Sequence, residues 1–493
     1  MKKTLLLTSL VASMVAMAGT TGSVKSYAES EAKFETKKSV SKDQKKVETN
    51  TTKSYKVGKI GVETEVKVKG SGLSFGGTFE AKDLELGGVK KVNYLNHSSV
   101  WAKYELPELK GVNSYVKATV SPKFANEEKG KEDEYKFDGS AELEGQVSYK
   151  YGEFTFGLQS KTNFPFVQKT ANVNYGTDVK STHKVFVESE KDKDVLVKGL
   201  KDVKANVEVK HDYRKIEKGH KASEAVDYVS GEVSAKYDAV KDLELEGKVS
   251  FKRNIKSGEK IGDYEVLGTK LFKELSARYI HSYELKGTYT GVKHLSLSAK
   301  PFVSHINIGK EVTAKNELKR EDVVLYGVEL GAEYKMLNDK LTLTGKSLLA
   351  GVHIKTINEA ATKENEKLVK KNSGVFVFDA NAKYDYSVTD KFTVSPEANA
   401  NLVLSVYKSE QSDKLVTKPT LTLTPKVSAE YKPTDTLTLT GSVEVPVKFG
   451  VVTKSFEKTA ADADTYDSTK AVNGFGYDST SIKTSLNLKY EWK

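Results

Sequence analysis

Eight histidines are the side chains of this sequence best suited to act as bases or metal ligands near neutral pH. None forms a close pair with metal-ligand spacing, and none lies in a recognisable nucleophile motif. They are His97, His183, His211, His220, His281, His294, His305 and His353. The absence of Cys excludes thiolate zinc sites, Cys nucleophiles and disulfides. The sequence therefore predicts no catalytic residue, no metal, no cofactor and no enzyme.

Basic side chains could instead contact nucleic acid, because 78 Lys and Arg outnumber 67 Asp and Glu and give a net charge of +11. Proteins that read base edges rely on bidentate Arg. Arg occurs here only at Arg214, Arg253, Arg278 and Arg320, and every other basic residue is Lys. A Lys-rich composition is typical of a solvated surface. We therefore predict no nucleic-acid partner.

The remaining chemistry belongs to charged and amide side chains that recur at every second position in the C-terminal part of the chain. Alternate side chains of a β-strand share one face. A face that carries charges of both signs suits a water-filled lumen, in which it would discriminate among small solutes. The residues predicted to line such a lumen are Glu329, Glu333, Asp379, Lys383, Glu397, Asn399, Asn401, Lys426, Glu430, Glu444 and Lys448.

Apolar residues occupy the positions between these side chains, in a two-residue period that continues from residue 55 to the C-terminus. In residues 437–451 every odd position is apolar or Gly, and residues 324–336 and 392–406 repeat the pattern. Period two indicates β-strands with one apolar and one polar face. Beyond the N-terminus, no run of about 18 apolar residues could form a spanning helix.

Short turns interrupt this pattern, and several begin with Asp, which is favoured in turns because its side chain hydrogen-bonds the local backbone. We predict turns at Asp83, Asp242, Asp339, Asp390 and Asp435, and near Lys110, Gly152, Asp202 and Lys293. After the first interval they lie about 40 to 50 residues apart, as a repeated two-strand unit requires. Longer polar loops are predicted at residues 124–134, 165–182, 255–270, 356–372 and 454–478.

Short turns at one end and longer loops at the other describe an up-and-down meander of about twenty strands, with 18 to 20 as the range. The first strand is predicted near residues 57–69 and the last near 479–492. An open sheet of this size would expose its edges and one apolar face, whereas a closed barrel in lipid hides both. We therefore predict an all-β fold, a single transmembrane antiparallel up-and-down β-barrel. A soluble β-propeller is the rival, but each of its blades needs four short strands.

The pattern resembles that of Gram-negative, porin-like outer-membrane β-barrels over residues 55–493, although it names no particular family. The resemblance implies short periplasmic turns, longer extracellular loops, and contact with outer-membrane lipid and lipopolysaccharide. The final strand is similar to the C-terminal signal that the barrel-assembly machinery recognises. Its shared face carries Ile482, Leu486, Leu488, Tyr490 and Trp492, and Lys493 follows the final aromatic residue.

Aromatic residues near the short turns and the C-terminus would form a girdle at the periplasmic interface of such a barrel. Tyr is also a good strand former wherever it occurs, so its abundance alone does not indicate a girdle. The shared position near turns favours the girdle. The residues are Tyr237, Tyr289, Tyr334, Tyr384, Tyr431, Tyr490 and Trp492.

The N-terminus has the features of a secretory signal peptide. Lys2 and Lys3 precede an apolar stretch at residues 5–18, and small-x-Ala triplets end at Ala18 and Ala28. We predict cleavage after Ala28, because acidic residues begin immediately afterwards, and Ala18 is the alternative.

Three segments follow from this assignment. Residues 1–28 are the predicted signal peptide. Residues 29–54 contain few sizeable apolar side chains, so they are predicted to form a flexible polar periplasmic tail. Residues 55–493 are the predicted transmembrane barrel.

Together these features predict a porin-like channel in the cell outer membrane that passes small hydrophilic solutes by passive diffusion. The alternative is a surface-exposed adhesin or structural barrel that binds partners through its extracellular loops. In that case loops or the tail could fold inward and close the lumen. The sequence leaves the oligomeric state open.

Overall fold

The computed structural model describes most of the chain, and nearly all of the described backbone is extended. Within these ranges no helix is long and apolar enough to cross a membrane, a finding that does not address crossing by strands. The described residues are 19–41, 45–85, 98–126, 135–167, 179–214, 223–254, 264–266, 269–272, 278–312, 318–358, 368–408, 415–459 and 462–492.

These residues form twenty strands of one closed antiparallel sheet. A separate two-stranded hairpin, Tyr264–Val266 with Thr269–Phe272, lies in the connection between β11 and β12. Strand β16 is interrupted at Asp385, and β19 is interrupted at residues 445–446. The barrel strands are β1 Thr20–Val40, β2 Val47–Val68, β3 Leu73–Glu85, β4 Ser99–Leu109, β5 Val112–Asn126, β6 Tyr135–Tyr151, β7 Phe154–Val167, β8 Val179–Ser189, β9 Leu200–Arg214, β10 Ser223–Val240, β11 Leu243–Asn254, β12 Tyr279–Val292, β13 Leu295–Val312, β14 Leu318–Met336, β15 Leu341–Asn358, β16 Leu368–Tyr384 with Tyr386–Thr389, β17 Phe392–Lys408, β18 Leu415–Thr434, β19 Leu437–Glu444 with Val447–Thr459, and β20 Asp462–Trp492.

Each strand pairs with the next along the chain, and the last strand pairs with the first. The closing register of β1 with β20 extends from Gly22 opposite Trp492 to Glu35 opposite Ser479. A closed sheet leaves no unpaired edge, which is the condition for crossing lipid with strands. The predicted all-β up-and-down barrel is therefore confirmed, and the propeller is excluded because its blades are separate sheets.

Short turns define one end of the barrel, which we call the turn end; the opposite end is the loop end. The turn end also contains the start of β1 and the end of β20. Turns with Asp242 and Asp339 occur where predicted, and both residues are left-handed, with φ of 62° and 64°, a conformation that Asp tolerates. The described turns are at residues 69–72, 110–111, 152–153, 190–199, 241–242, 293–294, 337–340, 390–391 and 435–436.

The predicted flexible tail at residues 29–54 is instead part of the wall of the barrel. Residues 29–40 belong to β1 and residues 47–54 to β2, and the two segments pair with each other. The first strand therefore begins at Thr20, well before the predicted start near residue 57. The prediction was wrong because strand pairing satisfies the backbone of a polar segment that has no apolar face of its own.

The predicted loop at residues 454–478 is also mostly strand. Strand β19 continues to Thr459, and β20 begins at Asp462. The loop-end parts of β19 and β20 pair with each other as far as Thr459 opposite Asp462. The segment was misread for the same reason as the tail, because a strand that extends beyond a membrane needs no lipid-facing apolar residues.

The predicted turn at Asp83 is the third difference, since Asp83 lies in β3, at the loop end. The short turn is formed by residues 69–72, where Gly70 and Gly72 have φ of 72° and 70°. The irregular first interval in the turn spacing reflected this misassignment. The other predicted loops lie largely outside the described residues, at 124–134, 165–182, 255–270 and 356–372. Residues 1–18 of the predicted signal peptide also lie outside the described chain.

Candidate functional site: the inner face of the barrel

Alternate side chains along each strand lie on the inner, concave face and the outer, convex face of the closed sheet. On β14 the side chain of Glu329 is 19% exposed, whereas its neighbour Leu330 is 50% exposed. On β15 Leu348 is fully buried, whereas Leu349 is 62% exposed. The outer face is mainly apolar and the inner face mainly polar, which is the arrangement that a bilayer outside and water inside would require.

The eleven residues predicted to line a lumen all lie on the inner face of β14 and β16 to β19. Ten of them are half-buried, and Lys448 is exposed. Cross-strand register brings several of them side by side, such as Lys383 opposite Glu397 and Glu397 opposite Lys426. The structure therefore gathers these residues into one continuous polar surface.

Ion pairs and amide hydrogen bonds connect this surface. Lys300 Nζ lies 3.0 Å from Glu329 Oε1 and 3.9 Å from Glu284 Oε2, so one ammonium links three adjacent strands. Further pairs occur between Lys426 and Glu397 at 3.4 Å, Lys483 and Glu444 at 3.3 Å, and Lys448 and Asp478 at 3.2 Å. Since these side chains remain partly exposed, each pair contributes little stability and stays accessible to mobile ions.

Amide side chains hold one acid in the same surface. Asn399 Nδ2 donates to Asp379 Oδ1 and Asn401 Nδ2 donates to Asp379 Oδ2, both at 3.0 Å. Both carboxylate oxygens are therefore occupied by neutral donors, and the negative charge of Asp379 is not neutralised by these partners. An acid held in this way can attract small cations into a water-filled space.

The N-terminal half of the wall carries inner polar residues that were not among the predicted lumen residues. Glu144 accepts hydrogen bonds from Tyr115 Oη and from Gln159 Nε2, the latter at 2.9 Å. Lys103 Nζ lies 4.3 Å from the centre of the Tyr115 ring, within the range of a cation–π contact. The same two-residue alternation runs through these strands, so the signal was available in the sequence.

A cluster of buried apolar residues also lies on the inner face of β13 to β16, and it was not predicted. These side chains pack against one another across four adjacent strands, so this part of the inner face is apolar and shielded from water. Continuous apolar runs, at residues 323–326 and 375–378, are typical of strands covered on both faces and could have indicated the cluster. Its members are Phe302, Ile306, Val323, Leu325, Leu348, Ala350, Val352, Val375 and Val377.

The predicted girdle residues all lie near the turn end, and five of the seven are exposed, whereas Tyr384 and Trp492 are half-buried. Tyr490 stacks on Trp492 with ring centroids 6.2 Å apart, and Tyr384 stacks on Tyr386 at 6.4 Å. Phe392 meets Tyr431 edge-on at 6.2 Å. That these aromatic residues form an interfacial girdle in a membrane remains a prediction.

One acidic residue outside the strands has a strongly shifted titration. Glu190, in the long turn after β8, accepts hydrogen bonds from Lys150 and Lys193, and these contacts lower the pKa of its carboxyl to about 2. The pKa of Lys193 is raised, first through the same hydrogen bond. Glu190 therefore stays ionised at mildly acidic pH. Its role is structural, because it connects Lys150 and Lys193 through these hydrogen bonds. Within the described ranges, no three His, Asp or Glu side chains gather closely enough to hold a metal ion.

Comparisons with known proteins give matches in structure alone. No protein-family model matches this sequence, and no curated protein matches it. FpvA of Pseudomonas aeruginosa, solved with heterologous pyoverdines, is 9% identical with a TM-score of 0.48; the match covers 96% of this chain and 72% of that chain.

Two further solved structures match this chain over a similar share of its length. The siderophore receptor PirA from Pseudomonas aeruginosa is 10% identical with a TM-score of 0.46, over 95% of this chain and 80% of that chain. OmpT, an outer membrane protein of Vibrio cholerae in its trimer form, is 13% identical with a TM-score of 0.30, over 96% of this chain and all of that chain. At these identities and scores they carry no inference about function.

The class of protein follows from the architecture itself. Twenty antiparallel strands close into one sheet, whose outer face is apolar and whose inner face is polar. This is the architecture of transmembrane β-barrels of the outer-membrane type.

Proposed function

We propose that this protein is a porin-like outer-membrane channel through which small hydrophilic solutes diffuse passively. The single observation that supports the proposal most strongly is the ion-paired inner face, on which Lys300 and Glu329 meet at 3.0 Å while their neighbours on the outer face are apolar. A barrel of about twenty strands is too wide to be filled by its own wall side chains. Water and small solutes would occupy the remaining space.

Export and location are part of the same proposal. The N-terminal segment would direct secretion, the C-terminal strand would engage the barrel-assembly machinery, and outer-membrane lipid and lipopolysaccharide would contact the apolar outer face. Selectivity would come from the charges of the inner face and from the narrowest cross-section. Catalysis and bound cofactors have no part in this proposal.

A second candidate function is supported by the apolar cluster on the inner face. Ile306, Leu325, Leu348 and Val377 have no solvent exposure, although they lie on the concave side of the wall. In this second function the lumen is closed to solutes beside the cluster, and the barrel acts as a surface scaffold that binds partners. The length of β20, at 31 residues, favours a surface that projects from the membrane, because about 9–11 residues suffice to cross it.

Single-channel recording separates the two functions. Purified protein in a planar lipid bilayer is expected to give discrete, voltage-stable conductance steps. The variant Glu397→Gln removes a charge from the inner face beside Lys426 and should shift the reversal potential in a salt gradient toward anions. The matched control Glu457→Gln changes an exposed acid near the loop end of β19 and should leave the potential almost unchanged. Protein that inserts as a folded barrel without conductance steps would refute the channel and support the scaffold.

A further inference from the structure

Strand β1 lies between β2 and β20 and thereby closes the barrel. It pairs with β2 from Thr20 opposite Val68 onward, and with β20 from Gly22 opposite Trp492 onward. Residues 20–28 supply the turn-end part of both ladders. This part of β1 is as fully paired as any interior strand of the sheet.

Side chains fix the same segment in the wall. The Tyr27 ring is 6% exposed, and its hydroxyl donates to Glu80 Oε2 on β3 at 2.6 Å. At the turn end of the barrel, Trp492 Nε1 on β20 donates to Thr20 Oγ1 on β1 at 3.3 Å. The segment is therefore bound to β3 and β20 through side chains as well as through its backbone.

Gly19 directly precedes β1 and contacts the turn that follows β2. The carbonyl of Gly19 accepts a hydrogen bond from Lys69 N, in the turn after β2, at 2.9 Å. Gly19 has φ of 90°, which Gly adopts without strain and which lies outside the range of a β-strand. Strand β1 thus begins at Thr20, two residues after the small-residue triplet at residues 16–18 in the sequence.

We infer that signal peptidase cuts this chain after Ala18, so that the mature protein begins at Gly19. The triplet that ends at Ala18 has the small residues that the peptidase requires, and it follows directly on the apolar stretch. The other triplet, which ends at Ala28, lies in the middle of β1. The inference rests on export and on the closed sheet, and it does not depend on whether solutes pass through the barrel.

Cleavage after Ala28 would open the seam of the barrel, which is the place where β1 joins β2 to β20. It would remove residues 20–28, so that residues 486–492 of β20 and residues 60–68 of β2 would lose their partner on the β1 side. The rest of β1 would hold β2 and β20 apart by two strand spacings, about 10 Å, so the two edges could not pair directly. Lipid offers no hydrogen bonds to such edges, so a barrel cut there could not close in a membrane.

The mass of the mature protein tests the inference. The full-length sequence is expressed in a Gram-negative host, and the barrel is purified from the outer membrane for intact mass and N-terminal sequencing. The expected first residue is Gly19. A mature chain that starts at Glu29, or that retains residues 1–18, would overturn the inference.

Two matched substitutions separate the candidate sites. Ala18→Leu puts a bulky residue where the peptidase needs a small one, and the unprocessed precursor should accumulate. Ala28→Leu adds an apolar side chain to the outer face and should leave the N-terminus at Gly19. Normal processing of the first variant together with a block in the second would contradict the inference.

Refolding gives a readout that does not depend on the peptidase. Residues 19–493 and residues 29–493 are each refolded from urea into lipid vesicles, and the folded fraction is measured by the heat-dependent shift in gel mobility. The longer chain should fold, and the shorter chain should lose at least about tenfold in folded yield because its seam stays open. Equal yields would show that residues 20–28 are dispensable and would overturn the inference.

Discussion

Neighbouring residues on one strand of this barrel lie in opposite environments, and Leu348 and Leu349 on β15 differ most clearly. Leu348 is buried in the apolar cluster of the inner face, whereas Leu349 is on the outer face with 62% exposure. The side chains are chemically identical and differ only in the face they occupy. They therefore provide a matched test of where apolar packing stabilises the barrel.

We predict that Leu348→Ala lowers the free energy of unfolding by about 2–5 kcal/mol, because truncation of a fully buried leucine leaves a cavity. Leu349→Ala should cost less than about 1 kcal/mol, since lipid or detergent can fill the space that the side chain leaves. Urea unfolding in lipid vesicles measures both values. Equal losses would mean that the inner cluster is not tightly packed.

The predicted lumen residues illustrate what sequence reasoning achieves at this scale. The two-residue period predicted on which face of the sheet Glu329, Asp379 and Lys426 lie. The structure has all three side chains on the inner face. Their partners did not follow, because the pairing of Lys300 with Glu284 and Glu329 depends on the register of three strands. Register is set by long-range pairing, which local periodicity does not contain.

At the scale of the element, turns and strand ends decide which segments the barrel includes. The turn at residues 69–72 joins β2 to β3, and it contains two left-handed glycines in different surroundings. A Cβ at Gly70 would meet open space, whereas a Cβ at Gly72 would lie 2.1 Å from the carbonyl oxygen of Glu105. The amide of Glu105 also donates to the Gly72 carbonyl at 2.9 Å. Gly72 therefore sets the approach of this turn to β4.

We predict that Gly70→Ala destabilises the barrel by about 1–2 kcal/mol, the cost of a left-handed alanine. Gly72→Ala adds a collision with rigid backbone and should cost about 1–3 kcal/mol more than Gly70→Ala. Thermal unfolding, followed as loss of heat-resistant gel mobility, compares the two variants. A Gly72 variant as stable as the Gly70 variant would contradict the close approach of β4.

Strand assignments failed where the chain extends beyond the part that a membrane would cover. Residues 29–54 and 454–478 were predicted to be tail and loop, yet residues 29–40, 47–54, 454–459 and 462–478 form the loop-end parts of β1, β2, β19 and β20. In water, both faces of a strand can be polar, so the two-residue period fades while the hydrogen-bonded ladder continues. Pattern therefore identified the lipid-facing parts of strands and missed their extensions.

At the scale of the whole molecule, the closed sheet separates a lipid-facing outer side from a water-facing inner side. The outer face carries exposed apolar side chains from nearly every strand, and the inner face carries the ion pairs. Leu330 and Glu329 are adjacent residues on opposite sides of this boundary. A lysine is costly on the lipid side and is ordinary on the water side.

We predict that Leu330→Lys impairs folding into lipid bilayers by about 2–4 kcal/mol, the cost of a lysine near the midplane. Glu329→Gln should leave folding nearly unchanged, because Lys300 keeps Glu284 as a partner. The measurement is equilibrium folding into vesicles for both variants, with wild-type protein in detergent as reference. Similar losses for the two variants would show that the facing assignment is wrong.

The sequence by itself determined the fold class, the direction in which most side chains face and the position of most short turns. It could do so because lipid on one side and water on the other impose a period of two on every strand between them. Only the tertiary structure decided which segments join the wall, where the barrel closes and which apolar residues lie inside. Those features depend on contacts between residues far apart in the chain, such as Gly22 with Trp492, and no local pattern encodes them.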